Sequence, residues 1–213
     1  MTRPAIVTPP RNRAGSTTAR PTMKFRISLA LFLTLTINTS RAAGAAEPAD
    51  LVACATVTMM EAEKFIGAPL DVTKIDKKIM LNAPWSHDSS CTYMPQGVKT
   101  DDPTALDRFL DVSLRFFPTA QAAQAIHQAT LEQFRKMAGS PEAPFKIVAI
   151  NPVDDFADAF YVEMQTDPNS DFKSATIMFV KDTIGGAVSA WRKPESSLAL
   201  TKIILQHVLA KLP

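Results

Sequence analysis

An alternating run in the middle of the chain constrains the fold more than any other feature. From Leu110 to Phe116, apolar residues alternate with polar ones. A repeat of two is that of a β-strand with one buried face and one wet face, which indicates an antiparallel sheet rather than a parallel sheet covered on both faces. Two other segments, 120–138 and 195–211, instead repeat apolar residues at helical spacing. The chain is therefore predicted to combine an antiparallel sheet with helices.

A further helix is predicted near the start of this region, from Thr58 to Ile66. Thr58 and Glu61 have the spacing of a capping box, in which the threonine side chain bonds forward and the glutamate bonds back to it. Gly67 is expected to end the helix. The sequence thus predicts N-terminal, central and C-terminal helices.

The remaining segments are predicted as strands separated by turns. Residues 87–90 are interpreted as a loop, and the last turn is placed either near Asp182 or at Gly185-Gly186. The predicted strands cover 71–81 (as one strand or two), 91–94, 110–116, 145–150, 160–165, 175–180 and 187–191. Hairpins separated by helices, without strict alternation, indicate an α+β fold with an antiparallel sheet flanked by the three helices.

Charge divides the 213 residues into two unlike parts. Residues 1–46 contain seven Lys or Arg and no Asp or Glu. Residues 47–213 contain sixteen basic and twenty-one acidic residues, a formal charge of −5. Because the second part is acidic, the composition speaks against nucleic-acid binding.

The first part is interpreted as a secretory signal. The uncharged run 27–37 has eleven residues, whereas a membrane-spanning helix needs roughly twenty. Lys24 and Arg26 precede the run, and small residues follow it at 42–46, as in a cleaved signal peptide. We predict a signal peptide at 23–45 and a single domain at 46–213. Residues 1–22 are either an N-terminal extension or a start assigned too early. The expected destination is the periplasm or the extracellular space, with no membrane span after cleavage.

The region after the signal contains two cysteines, Cys54 and Cys91. In an oxidising compartment an even number of cysteines indicates a disulfide. In the chain-entropy model, the disulfide would stabilise the fold by roughly 4 kcal/mol because of the loop that it closes. Leu51 to Cys54 also matches a lipoprotein box, but sixteen residues separate Cys54 from the apolar run that ends at Ile37. A lipid anchor at Cys54 is therefore not expected.

Several of these features together resemble a family of small exported proteins and lipoproteins of unknown function, best known from actinobacteria. The shared features are a cysteine, a Thr-initiated acidic helix, Ile66-Gly67-Ala68-Pro69 and Cys91-Thr92-Tyr93. Two features depart from the family, namely the missing upstream lipidated cysteine and a missing glycine near Asp154. The resemblance implies an antiparallel sheet flanked by helices, similar to PsbP and Mog1 proteins. It also implies that Cys54 belongs to the domain, and it offers no catalytic residue.

No catalytic residue, cofactor site or metal site is predicted, because the three histidines lack the local spacing of a metal site and no phosphate or dinucleotide motif is present. Five residues are weak binding candidates. His87 and Trp85 fall in a predicted loop region, Trp191 ends a strand, and Asp155 and Asp158 belong to an acidic segment between strands.

Two functions follow as hypotheses. The first is a non-enzymatic envelope protein that binds a small ligand or a partner protein, for which an apolar concavity is expected on a helix-free face of the sheet. The alternative is a carboxylate-dependent hydrolase of the periplasm, in which Asp154, Asp155 or Asp158 would act with His87. The hydrolase requires these side chains to converge in space.

Overall fold

One antiparallel sheet organises the part of the chain that the structure, a computed structural model, describes: residues 52–98, 108–138, 140, 145–165, 173–192 and 197–213. The described strands lie in the order β1-β2-β3-β7-β6-β5-β4. They are β1 Leu70–Ile79, β2 His87–Pro95, β3 Arg108–Phe116, β4 Lys146–Val153, β5 Phe156–Gln165, β6 Ser174–Lys181 and β7 Ile184–Arg192. The helices are α1 Ala53–Thr56, α2 Met59–Ile66, α3 Ala120–Ala138 and α4 Ser197–Lys211. The predicted α+β class is confirmed, and the very short helix α1 is the one described element the sequence did not predict.

Helices lie on both faces of the sheet. Helices α1, α2 and α4 pack on a first face, where the alternating residues of β3 and the apolar residues of α4 form the main core. Helix α3 packs on the second face, against β4, β6 and β7. Residues of α3 such as Ile126 contribute to two smaller apolar clusters there. Each face of the sheet therefore has its own core.

Helix α2 has the termini that the sequence predicts. The Thr58 side chain accepts a hydrogen bond from the Glu61 backbone N–H, and Glu61 accepts one in return from the Thr58 N–H at 2.8 Å. Gly67 ends the helix with φ at +74°, a left-handed conformation that glycine adopts without steric cost. The capping box is confirmed.

Cys54 and Cys91 form the predicted disulfide, with their Cα atoms 5.1 Å apart. The bond joins α1 to β2 on the first face of the sheet. Beside it, the Tyr93 hydroxyl donates a hydrogen bond to the Val57 carbonyl. The segment before α2 is thus held onto the sheet by a covalent and a polar contact.

Most strands are longer than the sequence predicts. Residues 87–90, interpreted as a loop, form the first half of β2, where their side chains alternate between buried and half-buried. Strand β4 continues through Pro152, and it is an edge strand among the strands that the structure describes, a position at which proline is tolerated. Segment 71–81 forms one strand rather than two, and this strand, β1, ends at Ile79, two residues earlier than predicted. Residues 87–90 have the composition of a loop, but their pairing with neighbouring strands determines that they form a strand.

The last hairpin turns at Asp182, the first of the two alternatives. Asp182 has φ at +51°, and aspartate is one of the few non-glycine residues that tolerate this region. Gly185 and Gly186 instead belong to β7. The predicted signal peptide at 23–45 and the extension at 1–22 lie outside the described residues.

Candidate functional site

An open cleft lies beside α4 on the first face of the sheet. Its volume is about 520 Å³. It is formed by the start of β5, the end of β6 and the C-terminal half of α4, elements far apart in sequence. We call it the α4–β5 cleft; residues in its wall include Asp155, Phe156, Asp158, Val180, Lys181, Gln206, Leu209 and Ala210.

The cleft exists because α4 covers only part of the sheet. Helix α4 packs on β6 and β7, anchored by Thr201, which is fully buried and donates a hydrogen bond to a strand carbonyl. Strand β5 lies beyond β6 in the sheet order, to the side of the helix. Because α4 does not extend over β5, a concavity remains between the side of the helix and that strand.

Lys181 fixes the end of α4 above the cleft. Its Nζ donates hydrogen bonds to the carbonyl oxygens of Leu209 at 3.4 Å and Leu212 at 2.8 Å. The Leu209 carbonyl belongs to the last turn of the helix and the Leu212 carbonyl follows its last residue, and the partial negative charge of this end favours a cation. The ammonium of Lys181 is therefore directed to the helix terminus.

Two of the five predicted candidates, Asp155 and Asp158, border this cleft, and both are exposed. Asp154 precedes them in the β4–β5 turn and is not part of the cleft wall. The titratable group that interacts with Asp158 is His127 on α3, so the Asp158 carboxylate is directed to the second face of the sheet, although the residue contributes to the cleft wall. Burial lowers the pKa of His127, and the Asp158 carboxylate opposes that effect.

His87 lies elsewhere. It is buried in β2 with its ring stacked on Phe116 at 4.1 Å, and its Nδ1 is 3.0 Å from the Ser86 hydroxyl. Four strand spacings separate β2 from β5, which at about 4.8 Å each is roughly 19 Å. His87 and the carboxylates of the cleft are too far apart to share a reaction centre.

Trp85 is a core residue rather than a surface for recognition. It is 5% exposed, packs edge-on against Phe117, and has the Arg115 guanidinium 4.3 Å above its ring. Arg115 also lies 3.4 Å from the Asp88 carboxylate. Burial lowers the pKa of Arg115 to about 9 and raises that of Asp88, so desolvation outweighs the attraction within the pair.

Trp191 stands half-buried on the second face, where it stacks on Phe109 of the neighbouring strand at 4.3 Å. The adjacent Arg192 points to the first face and donates a hydrogen bond to the Phe65 carbonyl near the end of α2. Trp191 and Arg192 therefore do not form one recognition patch.

A row of polar side chains crosses the second face, next to the Trp191 stack. Thr92, Asp111, Ser189 and Thr176 are direct neighbours on four adjacent strands. The Thr92 hydroxyl donates to Asp111 at 2.5 Å, and the Ser189 and Thr176 hydroxyls are 2.7 Å apart. Burial raises the pKa of Asp111 to about 6, although the hydrogen bond from Thr92 opposes this.

The predicted apolar concavity on a helix-free face is therefore corrected. Helix α3 occupies the second face, and the row of side chains beside it is polar and largely buried. The concavity lies on the first face, beside α4. Within the described ranges, no group of three His, Cys, Asp or Glu residues could hold a metal ion, and no helix is long and apolar enough to cross a membrane.

Comparison by sequence finds no matching protein family and no matching curated protein. Among solved structures, the chain is similar to the extracellular domain of PknH from Mycobacterium tuberculosis, with a TM-score of 0.55 and 11% identity. The match covers 81% of this chain and 100% of that domain. At this identity the likeness shows a shared fold. The Cys54–Cys91 disulfide is of the kind that persists in oxidising compartments, as in exported proteins.

Proposed function

We propose that this chain is an exported envelope protein that binds a small ligand in the α4–β5 cleft without transforming it. The observation that carries the proposal is the cleft itself. Its volume of about 520 Å³ falls within the range of roughly 300–1,000 Å³ that small-molecule sites occupy. Its wall combines apolar side chains, such as Phe156 and Leu209, with a few polar groups, as such sites require.

The exposure of the rim carboxylates supports binding rather than catalysis. Asp155 and Asp158 lie in contact with solvent. Acid–base catalysis by a carboxylate relies on a dry setting that moves its pKa toward neutrality. In this cleft the Asp155 carboxylate is suited to attract and orient a ligand.

Export is the second part of the proposal. The disulfide and the extracellular structural neighbour support it, as does the predicted signal peptide at 23–45, and Cys54 is engaged in the disulfide rather than free to carry a lipid. The resemblance to small exported proteins of actinobacterial type agrees with this destination. We propose that the mature protein begins near Ala46 and carries no lipid.

The hydrolase alternative now depends on a different histidine. Asp158 interacts with His127, whose ring also lies 4.9 Å from that of Phe160. A hydrolase would have to use this pair. Loss of ester or amide hydrolysis in His127→Ala, with an unchanged melting temperature, would favour it over binding.

Two matched variants test the cleft. Ala210→Trp places a bulky ring on an exposed position of the cleft wall, whereas Ile203→Trp places the same ring on α4 outside the cleft, where Ile203 is 55% exposed. Amide NMR spectra are recorded with a library of water-soluble fragments. We expect shifts centred on 155–159, 179–181 and 206–210 in the wild type and in Ile203→Trp, and their loss in Ala210→Trp. Shifts centred elsewhere, or no shifts in any protein, would overturn the proposal.

A further inference from the structure

We infer that the tip of the β1–β2 hairpin, residues 79–86, docks this protein on the surface of a phospholipid bilayer. The inference adds a second contact surface and does not depend on the α4–β5 cleft. In the sheet order, β1 and β5 are five strand spacings apart, which at about 4.8 Å each is roughly 24 Å. It follows from the exposure, the anchoring and the charge of the tip.

Two of the most exposed large apolar side chains lie at this tip. Leu81 is 90% exposed and Ile79 is 69% exposed. Among the other large apolar side chains that the structure describes, Met60 alone is comparably exposed, at 77%. A single exposed apolar side chain is ordinary, whereas two of them within three residues form a small apolar projection.

The two side chains are held outward because the rest of the tip is anchored. Met80, between them, packs against the apolar cluster that contains Trp85 and Phe117. The Met80 N–H donates a hydrogen bond to the Ser86 carbonyl at 3.0 Å, and the Ser86 N–H donates one to the Phe116 carbonyl at 2.7 Å. The apolar projection is therefore preformed, and docking through it requires little ordering of the chain.

Basic residues lie next to this projection. Lys77 and Lys78 directly precede it in the sequence, and Lys78 is exposed. The nearest acidic residues on the two strands are Asp76 and Asp88, and the Asp88 carboxylate lies 3.4 Å from the Arg115 guanidinium. Three basic and two acidic groups leave a net charge of +1 at the base of the projection, although the predicted mature region is acidic overall.

A phospholipid surface fits this combination better than a protein partner does. A stable protein interface buries about 800 Å² on each side, and its centre is depleted of lysine. Two aliphatic side chains on a convex tip do not supply such an area, but they can enter the boundary between headgroups and acyl chains. The ammonium groups beside them would then lie at the level of the lipid phosphates.

Tryptophan fluorescence tests which part of the protein meets the lipid. Leu81→Trp places a ring at the tip, and Ile203→Trp places the same ring on α4, where Ile203 is 55% exposed. Each exported protein is mixed with vesicles of phosphatidylcholine that contain phosphatidylglycerol as a minor component. We expect a blue shift and quenching by brominated lipid for Leu81→Trp, and neither for Ile203→Trp.

Sedimentation with the same vesicles measures the affinity. The double change Ile79→Ser and Leu81→Ser should lower the partition coefficient by about ten-fold or more, because burial of an aliphatic side chain contributes affinity of that order. Ile203→Ser removes an exposed side chain of the same kind from α4 and should leave the partition coefficient unchanged. Because all three positions are exposed, the melting temperature should stay the same in both variants.

A second pair of variants tests the contribution of the lysines. Lys77→Gln with Lys78→Gln should weaken binding to the vesicles that contain phosphatidylglycerol by about five-fold for each lysine, and less to phosphatidylcholine alone. Lys136→Gln with Lys173→Gln, at exposed positions on α3 and before β6, is the matched control and should have no effect.

The results that would overturn the inference are equally specific. They are the absence of binding to either kind of vesicle, equal quenching of the two introduced tryptophans, or a partition coefficient that the serine changes at the tip do not lower. A dimer that forms with rising concentration and is lost in Ile79→Ser with Leu81→Ser, without vesicle binding, would assign the tip to contact between two copies instead.

Discussion

At the scale of residues, the fold is held by contacts of two kinds, those between near neighbours in sequence and those between side chains of different strands. Thr58 and Glu61 cap α2 as their spacing predicts, and Cys54 pairs with Cys91. Asp111 was predicted only as a polar residue on a wet strand face. Its neighbour Thr92 comes from another strand, so no local pattern revealed that its carboxyl is desolvated.

Asp111 should make the stability of the fold depend on pH. Burial raises its pKa from 3.8 to about 6. Below pH 3.8 the carboxyl is protonated in both the folded and the unfolded state, so its burial does not lower the free energy of unfolding. As pH rises through about 6 the folded state must hold a buried carboxylate, so stability falls. We expect Asp111→Asn to raise the free energy of unfolding by about 1 to 3 kcal/mol at pH 7.5, and by much less at pH 4.

Urea unfolding at the two pH values measures this effect. Asp154→Asn changes the same side chain at an exposed turn position and should alter stability by less than about 0.5 kcal/mol. A gain from Asp111→Asn of the same size at both pH values would show that its effect is not electrostatic.

At the scale of elements, helices were predicted more closely than strands. The observed α3, Ala120–Ala138, matches the predicted range, because an apolar stripe at helical spacing is a local signal. Residues 87–90 look like a loop by composition, yet Ser89 is buried beneath α1 and accepts a hydrogen bond from the Ala53 N–H. Strand residues of this kind are fixed by their partners across the sheet.

The two glycines of β7 should differ in how far they tolerate a side chain. A Cβ on Gly186 would lie 2.4 Å from the Phe179 ring and 2.8 Å from the Ser113 carbonyl oxygen. A Cβ on Gly185 would meet one ring edge, that of Phe117, at 2.9 Å. A backbone atom can move away from a new Cβ less easily than an aromatic ring can. Gly186→Ala should therefore lower the free energy of unfolding by about 2 to 3 kcal/mol, and Gly185→Ala by about 1 kcal/mol or less.

Thermal and urea unfolding of the two single variants provides the comparison, and each serves as the control for the other. Equal losses, or a larger loss for Gly185→Ala, would show that the Phe179 ring and the β3 backbone do not confine this part of β7.

At the scale of the whole molecule, the α+β class and the antiparallel sheet were predictable, but the cleft was not. Its wall joins the β4–β5 turn, β6 and α4, so it depends on sheet order and on where α4 lies. Asp155 and Asp158 could be singled out as acidic residues between strands, whereas their association with Gln206 and Ala210 required the structure. The same order of strands separates His87 from them.

Mass spectrometry of the protein exported by its own host tests the central claim most directly. The denatured mass should correspond to a chain cleaved near Ala45, with two hydrogens missing for the disulfide and no lipid on Cys54. Under native conditions the wild type and Ile203→Trp should carry an added mass that disappears on denaturation, and Ala210→Trp should not. The same added mass on Ala210→Trp would contradict the account, because the ligand would then bind outside the α4–β5 cleft.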